Sequence, residues 1–423
     1  MRQTLFYLPH QLGPLPLFGW LSWSMIALIV YVLLLISVTR NRIPWQVSVK
    51  EGIFNWGIGA FILGFLLPMI ETRIGQGTSD EMIVGLPVRG YGVLMMLGVA
   101  SAIWIANRRI ESQGISREAF FSLALWSVLS GLIGARLFYV LQKWEELPGE
   151  TLSSKLWVAA QFTEGGLVVY GGAMGGLLGI LLWTWKNKAR PMPLFDAIAP
   201  AFFIGLAFGR IGCLLNGCCY GGVCEGELPA ITFPRGSPAY VDQLQSGRLL
   251  GIRTDEGPGD APTIREVAPG SWAADHGIHS GQALTGIEIF SSEAPSPTAL
   301  LAPPKIEGTM QVDRRSVAIP ASDLPDRSLP VHPSQIYASI SGFLLFLWTL
   351  SIPNWLNRPG VVLGSALIAY GIFRILEEFI RVDEAGQFGT DFSISQWISF
   401  VGIALGIVLL IASRRHAFAP QTS

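Results

Sequence analysis

Apolar runs dominate the chain. Stretches long enough to cross about 30 Å of hydrocarbon lie near residues 17–39, 52–70, 90–106, 119–142, 168–185, 195–209, 335–353, 360–380 and 394–412. This pattern predicts an all-α polytopic membrane protein with about nine transmembrane helices. The first run lacks a basic region beyond Arg2, and no small-residue cleavage site follows YVLLLISVTR, so it reads as a retained helix and not as a signal peptide. Basic residues punctuate the runs unevenly. Arg40, Arg42 and Lys50 follow the first, Arg108 and Arg109 the third, Lys186, Lys188 and Arg190 the fifth, Arg358 the seventh, and Arg414 and Arg415 the ninth. Those loops are therefore expected on the cytoplasmic side, and the long stretch from 210 to 334 outside.

The apolar pattern breaks between GRIGCLLNGCCYGG and VHPSQIYASISGFLLF, where Pro, Ser, Asp and short alternating pieces take over. A small β-rich extracytoplasmic inserted domain is expected there. The boundaries predicted are 1–87 for extra amino-terminal helices, 88–225 and 329–423 for two parts of a membrane core, and 226–328 for the insert. Within the insert, IREVAPGSWAADHGIHSGQALTGIEI (264–289) has the order strand, Pro-Gly turn, short helix, Gly-led turn, strand. That order is similar to the carboxyl half of a PDZ-like fold; a plain β-rich spacer is the competing reading. Composition agrees with a membrane class: 50% hydrophobic, 14% charged, mean hydropathy +0.46. A net charge of −1 offers no basic surface for nucleic acid, and the 48 glycines suit close helix packing in lipid.

Charged side chains inside such runs cost roughly 2.5 to 3.5 kcal/mol at mid-membrane on insertion scales and need a reason. Arg136 in GLIGARLFYVL, Arg210 and Asn216 in GRIGCLLNGCCYGG, and Arg374 and Glu378 in YGIFRILEEFIRVDE are expected toward the outer leaflet. Tyr370, Arg374, Glu378 and Arg381 are spaced as one helical stripe. Taken singly these are interfacial anchors and a structural ion pair. Arginines from three spans at one depth instead point to an anion, and at that depth the anion at hand is a lipid phosphate. EGGLVVYGGAMGGLLGI, with Tyr170, and VRGYGVLMMLG, with Tyr91, are dense in glycine; each suits either tight packing or room for a headgroup.

The motifs RGYGVLMMLG, GARLFYVL, GGLVVYGGAMGG, GRIGCLLNGCCYGG, HPSQIYASISG and YGIFRILEEFIRVDE, in this order across most of 88–412, resemble the prolipoprotein diacylglyceryl transferase family. The resemblance implies a multi-pass enzyme of the bacterial inner membrane, its active site toward the outer leaflet. It implies transfer of a diacylglyceryl group from phosphatidylglycerol to the lipobox cysteine of a prolipoprotein signal peptide, with release of glycerol phosphate. No cofactor is implied. The family's signature arginine falls on Arg210, its second asparagine on Asn216, its closing glycine on Gly221, its amino-terminal tyrosine on Tyr91, and its helix with arginine and glutamate on Tyr370, Arg374 and Glu378. Arg210, Arg374 and Tyr170 are the expected catalytic residues; Tyr91, Arg136, Asn216, Gly221, Tyr370, Glu378 and His332 are expected to bind substrate. Tyr170 stands where many members have a histidine, and Cys213 and Cys218 replace the signature's first asparagine and its acidic residue. A phenol that titrates near 10 is a poor base at neutral pH, so Tyr170 is read as orienting the headgroup. His332 becomes a candidate base, beside a capping role for its His-Pro turn.

Cys213, Cys218, Cys219 and Cys224 are spaced C-x4-CC-x4-C on the expected outer side. A structural disulfide is the favoured reading, with three pairings open. A zinc site ranks lower, since the spacing is not CxxC and no histidine lies close in sequence, and no metal centre is expected. Two other functions compete with catalysis: a lipid-handling protein that kept the headgroup site without turnover, and a scaffold acting through the insert. On the transferase reading, removal of roughly 226–328 should leave some transfer.

Overall fold

The computed structural model describes residues 4–12, 15–16, 72–74, 82–144, 168–224, 229–255, 262–291, 306–313, 315–352, 358–381 and 392–416, with 147, 151, 154, 155, 158 and 390. The expected spans at 17–39 and 52–70 lie outside the described residues. The elements in order are β1 (Thr4–Leu8), β2 (Gln11–Leu12), β3 (Leu15–Pro16), β4 (Thr72–Ile74), β5 (Met82–Arg89), α1 (Gly90–Glu111), α2 (Arg117–Gln142), α3 (Val169–Lys186), α4 (Pro191–Asn216), α5 (Pro238–Gln245), β6 (Ile252–Asp255), β7 (Thr263–Val267), α6 (Trp272–Asp275), β8 (Leu284–Ser291), β9 (Ile306–Val312), β10 (Arg315–Ile319), α7 (Ser334–Ser351), α8 (Val361–Glu378) and α9 (Ile394–His416). Each of the seven remaining expected spans is a helix. Five of them, α1, α2, α4, α7 and α9, are long and apolar enough to cross a membrane. The protein is mostly helical, with small antiparallel sheets, and spans the membrane several times.

The chain divides into two units, one of residues 1–95 and 210–336, the other of 96–209 and 337–423. In the first, β1 and β4 pair antiparallel on either side of β5. Sequence alone put no strands before residue 88. Pairing of Thr4 with Arg89 joins distant segments, and such short strands leave little periodic signal. The stretch expected as an insert holds an antiparallel pair, β6 and β7, and a three-stranded sheet ordered β10-β9-β8. Its core gathers Tyr240, Leu244, Leu250, Ile252, Ile264, Ala273, Met310 and Ile319, alternate residues of paired strands facing one side. Ser237 and Ser271 cap α5 and α6 by accepting the Tyr240 and Ala274 N–H groups. The order strand, short helix, strand expected over 264–289 is present as β7, α6 and β8. Likeness to a PDZ fold goes no further than that order.

In the second unit, Ile105 and Ile110 of α1, Phe120 and Leu123 of α2, Trp183 of α3 and Leu194, Ala197 and Ala201 of α4 share a core. Helices α2 and α3 meet through glycine. A Cβ at Gly175 would overlap the Ser130 carbonyl oxygen, and one at Gly134 the Gly171 carbonyl oxygen. Backbones at that distance tolerate no side chain, which gives the Gly171–Gly172 and Gly175–Gly176 pairs a packing role. On the other side of α2, Phe121, Leu125, Leu129, Ile133 and Leu141 remain exposed, a stripe suited to lipid. Helix α8 starts at Gly360 (φ 92°) without a side-chain cap of its own. Asp196 of α4, fully buried, accepts instead from the Gly360 N–H at 2.6 Å and the Leu363 N–H at 2.7 Å, a carboxylate at a helix amino terminus where it is favoured.

Candidate active site

In the first unit the site is built around the end of α4. The helix stops at Asn216 because Gly217 takes φ 77°. The Cys218 N–H then reaches back to the Cys213 carbonyl at 3.1 Å and the Gly217 N–H to that of Leu214 at 3.3 Å, the paired bonds of a Schellman turn. This turn folds Cys218 over Cys213, and Cys219 follows at φ 57°, rare for a residue with a Cβ. As a result, the sulfurs of Cys213, Cys218 and Cys219 lie within 4.8 Å of one another. The loop is anchored at its back by the start of α7: Gln335 Nε2 donates to the Cys218 carbonyl at 2.8 Å and Ser334 Oγ to that of Cys219 at 2.7 Å.

Arg210 lies one turn before Cys213 on α4 and is half-buried. Among the described residues no carboxylate pairs with it. Tyr91 of α1 lays its ring on α4, where a Cβ at Gly212 would stand 3.0 Å from Tyr91 Cδ2; its phenol is within electrostatic range of Arg210 and of the three cysteines. Gly221 and His332 come together through backbone: Gly221 N–H donates to the His332 carbonyl at 2.9 Å and His332 N–H to that of Gly222 at 3.0 Å. Residues of the expected insert are tied to the same loop. Ala239 N–H donates to the Gly217 carbonyl at 3.0 Å, and Phe233, Ala239 and Val331 pack with Leu214 and Tyr220.

The second unit holds the other expected residues. Arg374 and Glu378, both buried on α8, form an ion pair at 2.6 Å. Arg374 Nη2 also donates to Ser395 Oγ of α9 at 2.9 Å, and the Tyr170 hydroxyl of α3 lies 3.3 Å from the same Oγ. Tyr170, Arg374 and Glu378 thus belong to one chain of contacts joined by Ser395. Tyr370 packs edge-on against Phe202, centroids 6.4 Å apart, and tilted against Phe203 at 6.0 Å. Arg136, buried on α2, donates to the Val158 carbonyl at 2.7 Å and lies over the Tyr139 ring at 5.1 Å. The helical stripe ends at Glu378, so Arg381 lies past α8 and is not its last member.

Three features escaped sequence reasoning. Ser395 gave no charge signal, although a serine in an apolar span has to find a partner. Asp196 was visible as an acid within PLFDAIAP and carried the cost that singled out the arginines. The cysteine trio depends on a turn that spacing alone does not define.

Comparison with known proteins decides the family. The model of the prolipoprotein diacylglyceryl transferase family matches residues 81–412. The chain belongs to that family. A phosphatidylglycerol–prolipoprotein diacylglyceryl transferase of Rhodopirellula baltica is 35% identical over 441 residues, covering 97% of this chain and 89% of the relative. Transferases of Clostridium perfringens and Clostridium tetani are 26% and 24% identical over 77% and 78% of this chain. The chain is a membrane-bound diacylglyceryl transferase of lipoprotein biosynthesis. Because the Rhodopirellula relative aligns with 97% of the chain while the family model begins at residue 81, most of the amino-terminal extension of the transferase is shared with that relative.

Proposed function

We propose that the transferase moves the diacylglyceryl group of phosphatidylglycerol to the lipobox cysteine of a prolipoprotein signal peptide, at the outer leaflet of a bacterial inner membrane that it crosses about nine times. The lipobox thiol gives up its proton to solvent, its sulfur attacks the sp3 glyceryl carbon, a C–S bond forms, the C–O bond to phosphate breaks, and glycerol phosphate leaves with the electron pair. Such a displacement needs in-line positioning and a fixed positive charge for the departing phosphate.

Arg210 carries this reading. A half-buried guanidinium at the end of an apolar helix, with no carboxylate partner among the described residues, is a charge held ready for an anion. Asn216 and Tyr91 would position the headgroup beside it, with Gly221 leaving room and His332 fixing that loop. Arg374 differs, since Glu378 already neutralises it. Its part is to hold Ser395 and, through it, the Tyr170 hydroxyl that orients lipid. Arg136 and Tyr370 would shape the lipid path. Residues 226–328 form the insert, which steadies the Arg210 loop through Ala239 and Phe233.

The donor is tested by giving the purified protein a lipobox peptide and diacyl-labelled phosphatidylglycerol, phosphatidylethanolamine or phosphatidylserine in separate vesicles. Label on the peptide from phosphatidylglycerol, with equimolar glycerol phosphate, is the expected result. Equal transfer from all three would overturn the donor assignment.

A further inference from the structure

We propose that Cys213, Cys218 and Cys219 form a zinc site whose open fourth position receives the thiol of the incoming prolipoprotein. The proposal rests on the transfer reading and supplies what that reading lacks, a means of generating the thiolate. Tyr170 stands where many family members have a histidine, and His332, the candidate base of the first unit, is held there through its backbone.

The geometry fits a thiophilic ion. Zinc binds cysteine sulfur at about 2.3 Å in tetrahedral sites, so three sulfurs on one ion stand about 3.8 Å apart. Here all three lie within 4.8 Å, and shifts of under about 1 Å per sulfur close the remainder. Backbone strain and anchoring support the arrangement. Cys219 holds φ 57°, and the Cys218 and Cys219 carbonyls are fixed by Gln335 and Ser334. A disulfide would bring two sulfurs together and leave the third aside, whereas here all three converge. Arg210, one turn earlier on α4, sets its positive charge near a zinc trithiolate of net charge −1. Three protein ligands with an open position are also the arrangement of catalytic zinc sites, and a thiol that coordinates the metal is deprotonated outright.

The step balances. The lipobox thiol binds zinc and gives its proton to solvent. The bound thiolate attacks the glyceryl carbon, the C–O bond breaks, and the electron pair leaves on glycerol phosphate. The product thioether, a poor ligand, departs and restores the open position. Cys224 takes no part: it lies buried, its N–H donating to the Pro330 carbonyl at 2.9 Å.

The test uses the full chain, purified in a phosphine reductant, with zinc measured by elemental analysis. The parent, Cys224→Ser and Arg210→Ala should each carry one zinc per chain, and the triple variant Cys213→Ser, Cys218→Ser, Cys219→Ser none. Chelation should lower transfer by about 10²-fold, the scale of a lost proton-transfer catalyst, and zinc ion alone should restore it. Cobalt in place of zinc gives a readout independent of turnover and of the triple variant's folding. A lipobox peptide should change the cobalt spectrum, and its Cys→Ser version should not. Full transfer by zinc-free parent, or zinc retained by the triple variant, would overturn the zinc site and leave the transfer reading standing. Zinc bound and peptide thiol captured without any transfer from phosphatidylglycerol would do the reverse.

Discussion

Glu378→Ala exposes the physics of the second unit most sharply. Its carboxylate lies 2.6 Å from Arg374 Nη1, with the side chains 6% and 10% exposed. The gross attraction at that distance is about 6 kcal/mol for an effective dielectric near 20, most of it offset by desolvation. Among the described residues neither Glu378 oxygen has a hydrogen-bond partner beyond the ion pair, so the pair is a weak source of net stability. Removing one partner is another matter, because it strands a buried guanidinium whose remaining polar contact among the described residues is Ser395. The expected cost is about 3–5 kcal/mol. The double variant Arg374→Met, Glu378→Leu removes both charges and should fall close to the parent in stability. Thermal unfolding in detergent would compare parent, both single variants and the double, with transfer measured alongside. If Glu378→Ala unfolds where the parent does, the pair is solvated and the reasoning fails. Equal loss in single and double variants would show that packing, and not the stranded charge, sets the cost.

Gly175→Ala should force α2 and α3 apart, since the added methyl overlaps a carbonyl oxygen; unfolding in detergent should show a loss of about 1–3 kcal/mol, and parent-like stability would refute the close approach. Tyr170→Phe removes a hydroxyl 3.3 Å from Ser395 Oγ, so transfer should fall through a weaker KM for lipid with kcat little changed; a loss confined to kcat would make Tyr170 a proton-transfer group. Tyr240 is buried, its hydroxyl donating to the Pro325 carbonyl at 2.8 Å, and burial pushes its pKa above 10. The insert should therefore hold full stability below the ordinary phenol pKa and lose it as pH rises through the raised value, a titration that Tyr240→Phe should abolish in a pH series of unfolding curves. Deleting 226–328 removes the Ala239 bond to Gly217; a displacement of about 1 Å at the Arg210 loop would lower transfer near 10²-fold, and undiminished transfer would show that the insert does not steady the site.

Membrane-grade apolar runs made the helices legible, because α1 through α4 and α7 through α9 each repeat a signal strong enough to survive without neighbours. The site was legible where a charge stood out against that background, as at Arg210, Arg136, Arg374 and Glu378. Ser395 stayed hidden because a serine carries no charge and its role is fixed by side chains from two other helices. Strand β1 was hidden because its partner β5 lies far along the chain, and β4 because three residues leave little periodic signal. The cysteines were legible as a group and not as a geometry, since the Schellman turn at Gly217 and the left-handed Cys219 decide which sulfurs meet.

Arg210 remains the residue on which the transfer chemistry depends. The most direct measurement is label transfer from diacyl-labelled phosphatidylglycerol to a lipobox peptide by parent and Arg210→Ala proteins that insert equally well. Turnover by the parent and loss of at least about 10²-fold in the variant, on the scale of a removed charge-stabilising donor, is the predicted result. An Arg210→Ala protein that transfers label at the parent's rate would contradict the account.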